Sequence, residues 1–261
     1  MKAIKDLGQH FLNNSDIALS IADLANLEPG ETVWEIGPGT GILSAELIKR
    51  QVMLSAFELD KRMAEILHQR FNHNFRLVLR DILKVNWAEE LAQAPNPIKL
   101  VANIPYQITS PLLYKLEEYS SHFSRIVLMV QKEVAERLSA SPGTKSYGLM
   151  TLRLALKYDT QIKLMVGKEH FDPIPKVDSA VVLMLPRKIP ADITHPELYH
   201  KLITASFAHR RKTLRNNLLP LVGRQKIKDL ETSCEIDLGR RAETLYEADF
   251  IRLSNLFADL L

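Results

Sequence analysis

The sequence predicts an α/β fold: a doubly wound, mostly parallel sheet of seven strands, followed by a small all-helical C-terminal domain. Three observations lead there. Short apolar runs alternate with helical patterns over the first two-thirds of the chain. The first such run, Thr32-Val33-Trp34-Glu35-Ile36, leads straight into the glycine turn Gly37-Pro38-Gly39-Thr40-Gly41 and then a helix through Leu43, Leu47 and Ile48. From Glu197 onward the pattern is helical only, with no strand signal.

The elements follow in order. Gln9-His10-Phe11-Leu12 reads as an ordered arm before a helix that Ser15 or Asp16 can cap, with Ile17, Ile21 and Leu24 on its apolar face. After the glycine turn comes the strand Val52 to Phe57, ending at Glu58, and a helix through Met63, Ile66 and Leu67. Phe75 to Leu79 is a third strand with Asp81 just past it, and Ile98 to Ala102 a fourth, ending at Asn103-Ile104-Pro105-Tyr106. Ser110-Pro111 starts a helix, Ile126 to Val130 is the fifth strand, and Lys132 to Leu138 and Leu149 to Leu156 are helical. Lys157 to Val166 and Ser179 to Leu185 complete the sheet, and the prolines of Phe171-Asp172-Pro173-Ile174-Pro175-Lys176 make a stiff, extended loop between them. Pro186 to Pro196 reads as a linker, so the expected domains are 1–186 and 187–261.

Composition narrows the class. At 261 residues, 46% hydrophobic and 25% charged, the chain has the balance of a globular protein. No apolar run approaches the roughly 20 residues of a membrane span, and no apolar leader follows Met1, so a cytosolic protein without membrane contact is expected. The lone Cys234 cannot form an internal disulfide. The eight histidines are scattered, and no metal site is expected. Net charge is only +3, but the span from Tyr199 to Lys228 holds eight basic residues, among them Arg210, Arg211 and Lys212, and no acid. A solvated helix face is the bland explanation; the complete absence of acids favours a polyanion such as nucleic acid.

The glycine turn is informative by its spacing. A dinucleotide fingerprint places its third glycine at position 42, which is Ile42; here that glycine is Gly41, and the Lys-Ser/Thr of a P-loop is missing. A nucleoside without a pyrophosphate fits better, and S-adenosylmethionine is such a ligand. Glu58, 21 residues after Gly37, stands where an acid accepts ribose hydroxyls. Asp81, at the next strand end, would accept from the adenine amine of the cofactor. Either acid alone could be a helix cap; both, behind this turn, favour the cofactor.

Asn103-Ile104-Pro105-Tyr106 indicates the acceptor. An adenine N6 amine is a poor nucleophile because its lone pair is delocalised into the ring. It reacts better when acceptors hold its two hydrogens and the nitrogen can pyramidalise. The Asn103 side-chain oxygen and the Ile104 carbonyl are such acceptors. Pro105 fixes where that carbonyl points, and the Tyr106 ring can stack on an extruded base.

These motifs resemble the class I S-adenosylmethionine-dependent rRNA adenine N6-dimethyltransferases. Gly8-Gln9-His10-Phe11-Leu12, Gln131-Lys132-Glu133-Val134-Ala135, the run Phe171 to Val181 and Phe207 to Leu214 resemble their bacterial small-subunit branch, so the likeness spans nearly the whole chain. The resemblance implies that His10, Leu12, Gly37, Gly39, Glu58, Asp81 and Asn103 contact the cofactor, although many members carry Asn at the position of His10. It implies that Phe171 closes over the target base opposite Tyr106. It further implies that the substrate is a pair of adjacent adenosines in a hairpin loop near the 3′ end of 16S rRNA, within an immature 30S subunit. A helical C-terminal domain would help to hold that RNA, and a monomer is expected. Tyr147 and Gly148 echo a family loop without an assigned role. Two other readings stay open: a large-subunit adenine methyltransferase, and an RNA-binding assembly or transcription factor with a vestigial site. The near-neutral charge speaks mildly against the first, and the intact Gly37, Glu58, Asp81 and Asn103 speak against the second.

Overall fold

The computed structural model describes residues 8–94, 97–188, 190 and 192–259. The stretch after Met1, where no apolar leader is expected, and parts of the expected linker lie outside the described residues. The chain divides into two compact units. One holds the chain up to Ala135 together with Asp159–Pro186; the other holds Glu136–Tyr158 together with Arg187 onward.

The first unit is built on a sheet. It begins with β1 (Phe11–Leu12) and α1 (Ser15–Leu24), then β2 (Thr32–Ile36), α2 (Ile42–Ile48), β3 (Met53–Glu58), α3 (Lys61–Arg70) and β4 (Phe75–Leu79). It continues with α4 (Trp87–Ala92), β5 (Ile98–Asn103), α5 (Thr109–Glu118), β6 (Phe123–Gln131) and α6 (Lys132–Leu138), in which the boundary falls. After α7 (Leu149–Ala155) come β7 (Tyr158–Val166), β8 (Phe171–Asp172) and β9 (Ser179–Pro186).

Seven strands pair in the order β4-β3-β2-β5-β6-β9-β7. The chain runs outward from β2 through β3 to β4, then returns to lay β5 on the other side of β2. All of these neighbours are parallel, as are β5 and β6, whereas β9 runs antiparallel to β6. The crevice between β2 and β5 is thus the switch point of the sheet, where open α/β folds bind ligands. The sheet agrees with the fold class expected from the sequence.

Alternation along β2 dresses both faces. Val33 packs with Ala18, Ile21 and Leu47 of α1 and α2. Trp34 faces the other way, its ring 5.4 Å from Trp87 of α4 and 4.8 Å from Phe57 of β3. Asn14, not Ser15 or Asp16, caps α1: its side chain accepts from the Asp16 and Ile17 amides.

The second unit is helical: α7, α8 (Pro196–Ser206), α9 (Leu214–Ser233) and α10 (Glu247–Asp259). Gly223, at φ 80° and ψ 166°, breaks α9, and Pro220 lies in its first half. Its core contains Leu202, Leu214, Leu218, Leu230 and Phe250. The expected single cut between 186 and 187 differs from this division. Residues 136–158 belong with the helices because Tyr147, Leu152 and Leu156 are buried in that same core.

Candidate active site

One cavity opens at the carboxyl ends of β2, β3, β4 and β5. Of the expected site residues, His10, Leu12, Gly37, Gly39, Glu58, Asp81, Phe171 and the whole segment Asn103 to Tyr106 line it. Arg210, Arg211 and Lys212 belong to the helical unit.

The glycine turn forms the floor. Gly37 donates its amide to the Phe57 carbonyl at 2.9 Å and takes φ +65°, a conformation that disfavours a side chain. A Cβ there would stand 3.2 Å from Cδ of Pro105. Gly39, at φ +56°, is packed as closely: a Cβ would meet the Phe11 ring at 3.0 Å. One glycine lets the acceptor segment close in, and the other admits the N-terminal arm.

Glu58 ties this turn to the end of β3. Its Oε2 accepts from the Gly39 amide at 3.1 Å, and its Oε1 accepts from the Leu59 and Asp60 amides at 2.8 Å each. A carboxylate has about four acceptor sites, so capacity remains for a ligand hydroxyl. Burial pushes the Glu58 carboxyl above its ordinary value, and the three amides oppose that shift without overcoming it. Asp81 accepts from the Leu83 amide through Oδ1 at 2.9 Å. A turn and not a helix follows Asp81, so this bond caps a turn and not the helix start considered from sequence, and the residue still lines the cavity.

Asn103 ends β5 half-buried, and Ile104 donates its amide to the Met129 carbonyl at 3.1 Å, extending the pairing with β6. Pro105 is extended at φ −56° and ψ 127°. Tyr106 then starts a short 3₁₀ turn, and its hydroxyl pairs with Ser179 Oγ at 2.8 Å. Burial raises the Tyr106 hydroxyl pKa, the Ser179 bond opposes this, and the Asp178 carboxylate adds to it.

The arm covers the cavity. β1 pairs antiparallel with β8, Phe11 opposite Asp172 and Leu12 opposite Phe171. His10 Nδ1 lies 2.6 Å from the Pro173 carbonyl, and an acceptor there requires the Nδ1–H tautomer. Gln9 donates to Asp60 Oδ2 at 2.9 Å. The ring lying on Tyr106 is that of His10, with centroids 5.5 Å apart and planes at 30°. Phe171 lines the same cavity but is only 2% exposed and packs into the sheet core.

Sequence reasoning assigned no role to several residues found here. Glu35 is 1% exposed in β2 and accepts from Ser44 Oγ of α2 at 2.6 Å. Burial pushes its carboxyl up to about 8, against the Ser44 bond and with help from the Glu58 charge. An acid inside an otherwise apolar central strand was the signal for it. Ser179 and Gln9 had no such signal, because their partners are distant in the chain.

Within the helical unit, Arg210 is engaged: its Nη2 donates to the Lys145 carbonyl at 2.8 Å and its Nε lies 3.4 Å from Glu243. Arg215 pairs with Glu231. Acids from outside the acid-free stretch thus meet two of its cations, while Arg211 and Lys212 are exposed. Among the described residues, no group of three or more His, Cys, Asp or Glu is placed to hold a metal, and no helix is long and apolar enough to cross a membrane.

The sheet order, the glycine turn after β2 and the acids after β3 and β4 define a class I methyltransferase. The sequence profile described as "Ribosomal RNA adenine dimethylase" matches residues 1–259. The chain belongs to the ribosomal RNA adenine dimethylase family. It is 39% identical to the ribosomal RNA small subunit methyltransferase A of Lactobacillus delbrueckii, covering 99% of this chain and 92% of that protein. The protein of the same name from Listeria innocua is 40% identical, over 98% of this chain and 91% of its own length. Among solved structures, a dimethyladenosine transferase from Plasmodium falciparum superposes with a TM-score of 0.78 at 27% identity, covering 96% of this chain and 98% of that one.

Proposed function

We infer that this chain is an S-adenosylmethionine-dependent enzyme that dimethylates the N6 atoms of two adjacent adenosines in a hairpin loop near the 3′ end of 16S rRNA, in the maturing small subunit. The observation that carries this reading is the convergence of the glycine turn, Glu58, Asp81 and Asn103–Tyr106 on one cavity. The identity of about 40% to small subunit methyltransferases supports the choice of RNA.

The residues fit S-adenosylmethionine. Two carboxylates face the cavity beside a floor that has room only for glycine at Gly37 and Gly39. Glu58 would hold the ribose hydroxyls and Asp81 the adenine amine; Leu12 and His10 would cover them. Bound there, the cofactor supplies an electrophilic methyl group on a sulfonium.

The rest is work for the chain's own groups. Asn103 Oδ1 and the Ile104 carbonyl accept the two hydrogens of the target amine and turn its lone pair towards the donor. Pro105 holds that carbonyl in place. Tyr106 supports the base with its ring, fixed by Ser179. No general base is needed, because the amine becomes acidic once it gains a methyl group. The gain comes from orientation and electrostatic preorganisation. The exposed Arg211 and Lys212 of the helical unit contact RNA phosphates.

The test uses labelled S-adenosylmethionine with 30S subunits from an unmethylated strain, with 23S rRNA and without RNA. Transfer to 30S alone is expected. Transfer to 23S rRNA and not to 30S would overturn the reading. Asn103→Ala should abolish transfer while the protein still binds the cofactor, and undiminished transfer would refute the amine-holding role.

A further inference from the structure

Beside the cavity lies a loop whose most exposed large apolar side chain has no assigned use. Ile174 is 63% exposed and Val177 40%, on a segment that is otherwise tied down at several points. Phe171 and Asp172 pair with β1, and the Pro173 carbonyl accepts from His10. Pro175 is buried. At the far end the Asp178 carbonyl accepts from the Lys132 amide at 3.0 Å, and Asp178 Oδ1 accepts from the Lys168 amide at 3.2 Å.

Single exposed apolar residues are ordinary. The placement of this one is less so. Pro173 fixes the backbone before Ile174, and Pro175 restricts Ile174 itself to extended conformations. A β-branched side chain has few rotamers. The loop therefore holds an apolar face in water with little freedom left to lose, which favours contact with a flat, rigid partner. Exposed Lys176 adds a cation next to that face. An apolar face with an adjacent ammonium suits one nucleotide, its base on the side chain and its phosphate on the cation.

We propose that Ile174, supported by Val177, is the platform for the nucleobase adjacent to the target adenine, and so a positioning residue for methyl transfer. This rests on the functional reading above. The target base must leave its stack to reach Asn103, and its neighbour then loses a stacking partner. Ile174 replaces that partner at the cavity rim, keeping the strand open while the adenine is held inside. Since the two substrate adenosines are adjacent, the platform holds one of them while the other reacts.

Ile174→Ser and Ile174→Met are compared with the unaltered protein in single-turnover methylation of unmethylated 30S subunits, alongside calorimetric titration of the cofactor and thermal melting. Ile174→Ser is expected to raise the 30S concentration for half-maximal rate by roughly tenfold, with cofactor affinity and melting temperature unchanged. Ile174→Met should restore most of the loss. A hairpin with 2-aminopurine next to the target adenine gives a readout that a purely structural role would not move: binding should change its fluorescence with the unaltered protein and less so with Ile174→Ser. Unaltered protein that methylates 30S, with Ile174→Ser indistinguishable from it, overturns the platform alone. Unaltered protein that fails to methylate 30S overturns the functional reading and the platform with it.

Discussion

Gly37 lies directly against Pro105, so close that a Cβ on the glycine would sit 3.2 Å from the proline Cδ. The two residues belong to the loops that follow β2 and β5, neighbours at the switch point of the sheet. The turn that would cradle the donor and the segment that would hold the acceptor are thus one packed unit.

Gly37→Ala is accordingly expected to harm both functions together. An alanine at φ +65° costs about 1–2 kcal/mol in backbone strain, and its methyl group pushes Pro105 away. Cofactor affinity should fall by about tenfold or more, and transfer by a larger factor, because Asn103 moves with Pro105. Calorimetry and single-turnover rates separate the two effects. Loss of affinity alone, with an unchanged rate at saturation, would show that the loops are not coupled.

The pairing of Tyr106 with Ser179 predicts a graded series. Tyr106→Ala removes the ring and should lower transfer by roughly 10- to 100-fold, the range for a lost stacking platform. Tyr106→Phe keeps the ring and leaves Ser179 Oγ without its partner at a site that is 0% exposed. That variant should lose about 1 kcal/mol of stability and much less of the rate. Equal rates for the two variants would exclude the ring as a support for the base.

Glu35 predicts a dependence on pH. Burial raises its carboxyl from 4.5 to about 8 in the folded protein. The folded state therefore binds the proton more tightly than the unfolded chain does. This contribution to stability is complete below about 4.5 and is lost as pH rises through about 8. Glu35→Gln carries no charge at any pH and can still accept from Ser44. Its melting temperature should match the unaltered protein below about pH 4.5 and exceed it by a growing margin as pH rises to about 8. Parallel melting curves across that interval would mean that folding does not raise the Glu35 carboxyl.

The basic stretch should divide by partner. Arg210 holds Glu243 and the Lys145 carbonyl, so Arg210→Ala should chiefly lower the stability of the helical unit. Replacing the exposed Arg211 and Lys212 by Gln should leave melting unchanged and weaken RNA binding. The slope of log affinity against log salt should flatten by about 0.7–0.9 for each phosphate that is no longer neutralised. An unchanged slope would remove both residues from the RNA interface.

What the sequence revealed was what is local. Apolar runs such as Val52 to Phe57, the glycine spacing and the acids at strand ends are written over a few residues, and the sheet with its cavity follows from them. The six-residue α4 is too short to display a helical period. The strands β1 and β8 are two residues each, and neither signals without its partner. Residues 136–158 carry an ordinary helical pattern, and only their burial against Tyr199 and Leu202 reveals which unit they serve. The stretch from Tyr199 to Lys228 is free of acids in sequence yet meets Glu231 and Glu243 in space, because charge pairing ignores chain order. The expected face-to-face role of Phe171 with Tyr106 rested on resemblance, and only the packing of the arm puts His10 on the tyrosine.

Phe11 and Asp172 lie side by side although the chain produces one near its beginning and the other about two-thirds of the way along. During synthesis, which runs from the N-terminus, the arm emerges early and waits. By the time Tyr106 has emerged, the glycine turn, both carboxylates and Asn103 are present, but the strand that anchors the arm is not. His10 gains its carbonyl partner only when Pro173 is made, 163 positions later. Roofing the cavity is therefore a late event in the birth of each molecule, and a chain cut short before Pro173 would hold the reactive groups without their cover.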